Sequence, residues 1–216
     1  MSRNILNISI LKTIRFNAVY FGIKAIFNPR VLLSRNVRLI HMGGSVRTDF
    51  SAGNERVYLG FKASGIADTK AERFCWDNNG KVIFQNGVFL GSGVRISNCG
   101  EIFLGYKAFV SANSSIACVK SVKIGSFCNV AWGCTFIDSD FHKIIDNETK
   151  RVVNEPKEIL ISDKVWIGCN TTILKGAVIP SECIVAAAST VNKNLTESNC
   201  IYKDNAVVKR NVSWED

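Results

Sequence analysis

The chain has 216 residues, a length that fits one domain, and its 47% hydrophobic and 21% charged residues exclude a disordered chain. Its 27 Lys and Arg against 18 Asp and Glu give a net charge of +9, which favours a phosphate-bearing cofactor, an acidic glycan, a membrane surface or nucleic acid as a partner. The sequence contains two histidines, His41 and His142, and so excludes a metal centre built on three imidazoles of one copy.

The N-terminal segment 1–40 begins with an apolar stretch that predicts a helix over residues 5–27, ending before Asn28-Pro29. Cations interrupt the stretch and it has no small-residue cleavage site, so it predicts neither a signal peptide nor a spanning helix. Two interpretations stay open: a basic amphipathic helix on a membrane surface, or a helix packed on its own domain or on a neighbouring subunit. We favour packing, because the polar side carries few charges. The apolar stripe is Ile5, Ile8, Ile10, Ile14 and Phe21, and the cations are Arg3, Lys12, Arg15 and Lys24.

Segment 41–89 is predicted to form irregular first coils, and a six-residue repeat of large apolar residues occupies segment 90–195. This period fits neither a helix nor a flat strand, but it fits short strands separated by tight turns. It predicts a parallel β-solenoid whose core is a ladder of aliphatic side chains. The phase slips by two residues before Leu104 and Ile124, as small corner bulges would cause. The most regular positions are Ile161, Ile167, Ile173, Ile179, Val185 and Val191.

An inserted loop, 142–158, interrupts the repeat, and a short C-terminal tail, 196–216, follows it. The insert is polar and carries both charge signs. A loop of this length inside a solenoid is more often functional than ornamental. It begins at His142, directly after the segment IDSDF, 137–141.

The eight cysteines lie mostly where the repeat needs a small buried residue, and the sequence has no Cys-x-x-Cys pair. They therefore predict reduced core thiols in a cytosolic protein rather than disulfides or a zinc site. We expect no metal to be required.

Two segments carry a resemblance to a known family: FIDSDFHKI, 136–144, and ILISDKVWIGCNTTILKGAVIPSECIVAAASTVNKN, 159–194. They resemble the hexapeptide-repeat acyltransferases, above all bacterial O-acetyltransferases of capsule or lipopolysaccharide sugars and the galactoside and maltose acetyltransferases. The resemblance implies a mainly β fold, a left-handed parallel β-helix, and a homotrimer with sites between subunits. It also implies acetyl-CoA as donor and direct transfer to a sugar hydroxyl of a capsule, O-antigen or related glycan, or of its precursor. The stretch Lys203-Asp204-Asn205-Ala206 departs from the Gly-Asn-Pro-Ala-like turn of the family.

Acyl transfer to a hydroxyl needs a base for the hydroxyl proton and donors for the oxyanion. His142 is the predicted general base, since imidazole titrates near neutrality and this one stands where a coil opens into a loop. Asp140 is predicted to orient the base or the acceptor, and Asp138 to hold sugar hydroxyls. On a strand, the two aspartates and His142 would share one face. The alternative for Asp138 and Asp140 is a pair of turn-forming residues.

The resemblance places Trp166 beside the thioester, where its indole N–H can donate to an oxyanion; packing against a neighbour is the alternative. Trp132 is predicted to line the acceptor pocket or a subunit contact. Coils without bulky outward side chains would give the pantetheine arm an extended groove. The predicted cofactor-binding residues are Gly168, Cys169 and Ala187 for the arm, with Lys193 and Arg210 for the phosphates.

Three rivals to O-acetyl transfer remain at this point. An N-acetyltransferase on a nucleotide-linked amino sugar is the nearest, but the sequence shows no strand, Gly-rich loop and helix in the order of a nucleotide-binding domain. The segment around His142 argues against a non-catalytic scaffold. No recognition motif supports nucleic-acid binding, so we expect none. The predicted location is the cytoplasm, with peripheral contact at the inner membrane through the N-terminal helix as an open option.

Overall fold

The computed structural model describes residues 7–49, 55–63, 65 and 72–215. The described chain winds into a stack of three-sided coils, in which each short strand pairs in parallel with the equivalent strand of the next coil. The three sides form three parallel sheets, and the apolar core fills the narrow prism between them. The predicted mainly β, parallel β-helix is confirmed.

The strands are numbered in chain order. Sheet 1 consists of β1 (Val31–Leu33), β4 (Val57–Phe61), β7 (Phe89–Gly91), β10 (Phe109–Val110), β13 (Asn129–Val130), β16 (Trp166–Ile167), β19 (Ile184–Val185), β21 (Cys200–Lys203) and β22 (Ala206–Arg210). Sheet 2 consists of β2 (Val37–Met42), β5 (Phe74–Asn78), β8 (Arg95–Asn98), β11 (Ser115–Cys118), β14 (Thr135–Ile137), β17 (Thr172–Leu174) and β20 (Thr190–Val191). Sheet 3 consists of β3 (Ser45–Asp49), β6 (Lys81–Gln85), β9 (Glu101–Leu104), β12 (Ser121–Ile124), β15 (Ile159–Ile161) and β18 (Val178–Ile179).

The six-residue repeat produces the core as predicted. In sheet 2, for example, Phe136, Ile173 and Val191 stack in register from β14 to β17 to β20, and none is exposed. Their chain neighbours, such as Thr172, point outward and are half-buried. One aliphatic or aromatic side chain from each strand therefore enters the prism, and the next coil covers it.

The coil stack starts at Val31, so the described coils begin before residue 41, where the irregular first coils are predicted to begin. Strands β1 to β6 belong to the same three sheets as the later strands and pair with them in parallel. These early strands are unevenly spaced in the sequence, since β3 ends at Asp49, β4 begins at Val57 and β5 begins at Phe74, and aromatic residues such as Trp76 replace aliphatic ones in their core. Both features hide the six-residue period in the sequence. The predicted tail, 196–216, likewise contains β21, which extends sheet 1, and β22, which returns antiparallel to it.

The two-residue slips in the repeat fall at the corner between sheets 2 and 3. The last residue of the sheet 2 strand lies inside this corner, as Asn78, Asn98 and then Cys118 in successive coils. The Asn98 amide donates to Asn78 Oδ1 at 2.7 Å, and the Cys118 thiol donates to the Glu101 carbonyl at 3.5 Å. Buried polar side chains thus satisfy one another and the backbone inside this corner.

The N-terminal helix is shorter than predicted. Helix α1 spans Ile10–Phe21, a short 3-10 helix spans Ile23–Ile26, and the intervening Gly22 has a φ of 82°. Ile8, before the helix, forms a β-bridge with Ser34. Among the described residues, no helix is long and apolar enough to cross a membrane. Ile5 and Arg3 of the predicted segment lie outside the described residues.

Helix α1 packs on the first coil, but of the predicted stripe within the helix only Phe21 packs against the core. Its buried residues are Thr13, Phe16 and Asn17, whereas Ile10 is 70% exposed and Ile14 40%. The reason is that the first coil offers unpaired backbone groups along the edge of β1. Asn17 satisfies three of them, donating to the Val31 carbonyl at 2.7 Å and accepting from the amides of Arg30 and Val31.

The ladder can be tested with two substitutions in one strand. Ile173→Asp should prevent folding, because it places an unpaired carboxylate in the apolar prism. Thr172→Asp, on the outward side of the same β17, should leave a soluble protein with a cooperative thermal transition. Circular dichroism and solubility measure both. A folded Ile173→Asp protein would contradict the assigned register.

Candidate active site

The inserted loop leaves the coil at the corner between sheets 2 and 3 and returns to the same corner. The Lys157 amide closes the loop by donating to the Asp138 carbonyl at 3.0 Å. Within the loop, Ile145 and Val152 form an antiparallel bridge, and Asp146 accepts from the amides of Glu148 and Thr149 at the turn between them. These bonds lower the pKa of Asp146, that from Thr149 most. The loop is therefore a small hairpin.

Asp138 holds the corner and does not face an acceptor. Its side chain is fully buried, and its carboxylate accepts the backbone N–H groups of Val119, Lys120 and Ser121 at 2.7–2.8 Å. Charge-assisted bonds of this kind are about twice as strong as neutral ones. Since β14 ends at Ile137, the expected alternation that placed Asp138 on one face with Asp140 and His142 does not apply. The predicted substrate contact of Asp138 is thus replaced by a structural one.

Asp140 ties the two stems of the loop together. Its carboxylate forms an ion pair with Lys175 and accepts from the Asn154 amide at 2.7 Å. The hydrogen bond from Lys175, followed by that from Asn154, lowers the pKa of Asp140. Asn154 also donates to the His142 carbonyl at 2.7 Å, so Asp140 positions the backbone of His142 rather than its ring. Lys175 and Asn154 were not predicted, because they become neighbours of Asp140 only through the coil stacking and the loop.

His142 stands in the open at the start of the hairpin. It is exposed, and its imidazole has no hydrogen-bond partner among the described residues. A cleft of about 570 Å³ lies along the corner from which the loop leaves, and Phe141, the chain neighbour of His142, lines it. The lining residues are Ile137, Ser139, Asp140, Phe141, Lys157, Leu174, Lys175 and Asn192. A solvent-facing imidazole on the loop that borders a cleft is suited to proton transfer with a bound hydroxyl.

Trp166 lies at a different corner. It begins β16 directly after the turn from sheet 3 to sheet 1, whereas His142 follows sheet 2. Its ring is 41% exposed and lies 6.3 Å from the ring of Trp214, which donates to the Lys164 carbonyl at 3.0 Å. Sheet 3 separates the two corners, so one chain does not bring His142 and Trp166 together. Trp214 was missed because nothing in the repeat indicates where the tail returns.

Four predicted residues stack at the third corner, between sheets 1 and 2. The Asn170 amide donates to the Trp132 carbonyl at 2.9 Å, and the Ala188 amide donates to the Cys169 carbonyl at 2.8 Å. Gly168 fits here because a Cβ would lie 2.5 Å from the backbone nitrogen of Ala187. Trp132 is 36% exposed, and Ala187 is exposed. This corner holds backbone groups with little side-chain cover, but it is not the corner of His142.

Lys203, which was not among the predicted site residues, adds a cation to this third corner. Its ammonium donates to the carbonyls of Ala187 and Ala188 at 3.0 and 2.7 Å. The signal for it was the departure at Lys203-Asp204-Asn205-Ala206, where β21 turns into β22. The Lys203 ammonium therefore places a positive charge next to Ala187, where it can contact a ligand bound at this corner.

Lys193 and Arg210 lie on opposite sides of the last coil. Lys193 follows β20 and is exposed, and its carbonyl accepts from Val178 at the start of β18. Arg210 pairs with Cys200 in the terminal hairpin, and its guanidinium bonds both carboxylate oxygens of Glu197 at 2.7 and 2.9 Å. This hydrogen-bonded pair raises the pKa of Arg210 and lowers that of Glu197. The structure does not bring the two predicted phosphate ligands together within one chain.

The remaining reactive side chains are structural. His41 pairs with Asp77 at 2.9 Å on the surface of the first coils. All eight cysteines are free, and burial raises the pKa of the Cys128 thiol to about 12 and that of Cys134 to about 11. Thiols with such pKa values are poor nucleophiles. In the part of the chain that the structure describes, no three His, Cys, Asp or Glu side chains form a cluster suited to a metal.

The chain is similar to enzymes of bacterial surface glycans. It is 31% identical over 117 residues to a polysialic acid O-acetyltransferase of Escherichia coli O1:K1, covering 53% of this chain and 38% of that protein. It therefore spans less than half of that relative. It is 31% identical over 159 residues to an uncharacterized 24.8 kDa protein in the cps region of Klebsiella pneumoniae, covering 70% of this chain and 69% of that one. No family model matches the chain.

A solved structure confirms the handedness of the fold. The crystal structure of the polySia specific acetyltransferase NeuO superposes with a TM-score of 0.57 and 23% identity, covering 84% of this chain and 89% of that one. At this identity the likeness concerns the fold, a left-handed parallel β-helix.

The ion pair of Asp140 gives a pH-dependent signal. Because the pKa of Asp140 is lowered, the pair persists below the ordinary aspartate range and is lost as the pH falls through the lowered pKa. Lys175→Met should return this pKa toward its ordinary value, and Asn154→Ala should raise it less. Carboxyl-carbon NMR titration measures the shift. An unchanged pKa in Lys175→Met would show that the pair does not form.

Proposed function

Since this chain belongs to the hexapeptide-repeat acyltransferase family, we propose that it transfers an acetyl group from acetyl-CoA to a sugar hydroxyl of a bacterial capsule, O-antigen or related glycan, or of its precursor. The observation that carries the proposal is the exposed His142 imidazole, presented on a loop that Asp138 and Asp140 fix to a β-helix corner. The relatives are named O-acetyltransferases, which favours a hydroxyl over an amino group as the acceptor.

In the proposed mechanism, His142 removes the proton of the sugar hydroxyl as that oxygen attacks the thioester carbonyl. Bound acetyl-CoA supplies the activated acetyl group. The indole N–H of Trp166 donates to the carbonyl oxygen as negative charge develops there. The imidazolium of His142 then returns its proton to the departing sulfur, which leaves an acetyl ester and free coenzyme A. Asp140 acts as a positioning residue, because it holds the backbone of His142 through Asn154.

The surface between sheets 1 and 2 has the chemistry that a pantetheine arm requires. Cys169 and the exposed Ala187 give the arm a surface with little side-chain bulk, and the buried Gly168 lets the two coils approach closely beneath it. Lys203 supplies a cation anchored beside them. Lys193 is exposed elsewhere on the last coil, and Arg210 would have to exchange Glu197 for a phosphate, so both stay predicted phosphate ligands. The cleft at the base of the His142 loop receives the acceptor, and Trp132, which lies at another corner, can line this pocket only from a neighbouring subunit. The net charge of +9 favours the binding of both the coenzyme A phosphates and acidic sugars.

A homotrimer with its sites between subunits reconciles the separated groups. His142 and Trp166 occupy different corners of one prism, so a site that uses both needs the corner of a second copy. The loop also carries exposed apolar side chains that a neighbouring subunit would cover. These side chains are Phe141, Ile144, Ile145 and Val153, each at least 52% exposed. The enzyme works in the cytoplasm, where acetyl-CoA is made.

The role of His142 is tested by its replacement. His142→Ala should fold, bind acetyl-CoA and lose about 10²- to 10⁴-fold in turnover, the usual contribution of a positioned base. Release of coenzyme A thiol is followed with a panel of sialic acid polymers, other acidic oligosaccharides and nucleotide-linked amino sugars. Lys143→Ala, the exposed neighbour on the same loop, is the control and should stay active. Turnover above a tenth of the unsubstituted enzyme in His142→Ala would remove this residue from the mechanism.

The shared site is tested by mixing inactive subunits. The His142→Ala and Trp166→Ala proteins should each be inactive alone. In trimers formed at random from an equal mixture, about a quarter of the interfaces should combine an intact His142 from one subunit with an intact Trp166 from the next, and activity should return at those sites. Mixing His142→Ala with the double variant is the control, since no intact pair can form. Equal inactivity of both mixtures would place His142 and Trp166 in the same subunit's site or in none.

A further inference from the structure

Helix α1 buries polar residues and exposes apolar ones, the reverse of an ordinary surface helix. Its polar residues Thr13 and Asn17 face the first coil, where the Thr13 hydroxyl accepts the Leu33 amide at 3.1 Å and Asn17 bonds the edge of β1. Phe16 is fully buried against Trp76, with ring centroids 5.2 Å apart. The other side of α1 and the segment after it expose large apolar side chains. They are Ile10 at 70%, Leu11 at 82% and Val19 at 55% exposure in α1, and Ile23 at 74% and Phe27 at 87% after it.

A cleft of about 670 Å³ runs beside this outward face, and its charged lining residues are all cations. Leu11 lines the cleft as well, so the apolar face and the cationic cleft are continuous. The Lys12 ammonium is held in place by the carbonyls of Arg35 and Val37 at 2.7 and 2.6 Å. The cations are Lys12, Arg15, Arg35, Arg38 and Arg73.

The charges of this cleft are not neutralised by the described part of the chain. No described carboxylate lies within ion-pair distance of the five cations. On the side of the solenoid, by contrast, lysines pair with glutamates of neighbouring coils, as Lys81 does with Glu101 at 2.8 Å and Lys123 with Glu158 at 3.0 Å. Unpaired positive charge and apolar surface therefore coincide at the N-terminal end.

We propose that the N-terminal end of the solenoid docks on an anionic lipid bilayer. The outward side chains of α1 enter the interfacial region, and the cations of the cleft bind headgroup phosphates. A soluble polyanion would need the cations but not Leu11 or Phe27. A second copy on the same face would bring like charges together. The proposal goes beyond acetyl transfer, because it places the enzyme on the membrane without requiring its activity.

The test is vesicle flotation of the full chain with phosphatidylcholine vesicles, with or without phosphatidylglycerol. We expect binding to the vesicles that contain phosphatidylglycerol, and loss of binding as salt shortens the Debye length from about 30 Å to about 3 Å. Arg15→Gln with Arg38→Gln should weaken binding about tenfold or more, since each cation near an anionic surface contributes substantially. Leu11→Ser should weaken binding at low salt, although it removes no charge, because it takes an apolar side chain out of the interface.

Matched controls separate this surface from net charge and from folding. Arg151→Gln with Lys209→Gln removes two exposed cations far from the cleft and should leave flotation unchanged. Since Leu11, Arg15 and Arg38 are exposed, their variants should keep the thermal transition of the unsubstituted protein. Both acetyl transfer to a soluble acceptor and vesicle binding are measured on each protein, so failure of either proposal is seen separately.

Several outcomes would overturn the proposal. One is flotation that is absent, that ignores phosphatidylglycerol, or that falls equally in the control pair. Another is binding of a soluble sialic acid polymer or inorganic phosphate to the cleft without vesicle binding, which would make it a site for soluble anions. A third is a smaller oligomer in Leu11→Ser by light scattering, which would show that a second copy covers α1.

Discussion

The whole structure depends on the fit of one large side chain from each strand into a narrow prism. Ile173 illustrates the constraint, because Phe136 lies below it, Val191 lies above it, and none of the three is exposed. Each inward side chain packs against its equivalents in the neighbouring coils, and the backbone hydrogen bonds join the same coils. Both interactions form only when successive coils keep the same register. Strands of two or three residues are stable here because each is covered on both sides by an equivalent strand.

This constraint relaxes at the corners, and the corner between sheets 2 and 3 contains buried polar side chains. Asn78, Asn98 and Cys118 fill it in the earlier coils, and Asp138 takes the next position with three backbone N–H groups. A buried carboxylate satisfied in this way anchors the chain where it leaves the coil. The hairpin of His142 can therefore extend into solvent without disturbing the ladder.

The repeating part of the fold can be predicted from the sequence. Contacts between residues that are far apart in the sequence cannot. The regular period from residue 90 onward leads directly to the coils, whereas the uneven spacing before Phe74 conceals strands that pair just as well. Site residues follow the same division. His142 and Trp166 stand out as residue types in a motif, but the ion pair of Asp140 with Lys175 joins residues 35 positions apart, and Trp214 meets Trp166 through the tail. Neither contact leaves a local signal.

The orientation of α1 shows why periodicity alone gave the wrong face. An apolar stripe predicts burial when the neighbouring surface is apolar, yet the end of a β-helix exposes backbone N–H and C=O groups of its first strand. Asn17 and Thr13 satisfy those groups, and Phe16 alone enters the core. The polar face of the helix is thus used to hydrogen-bond the end of the solenoid, and Ile10 and Leu11 point outward as a result. The same requirement that closes the end of the fold therefore creates an apolar surface, and the cations beside it decide what that surface can bind.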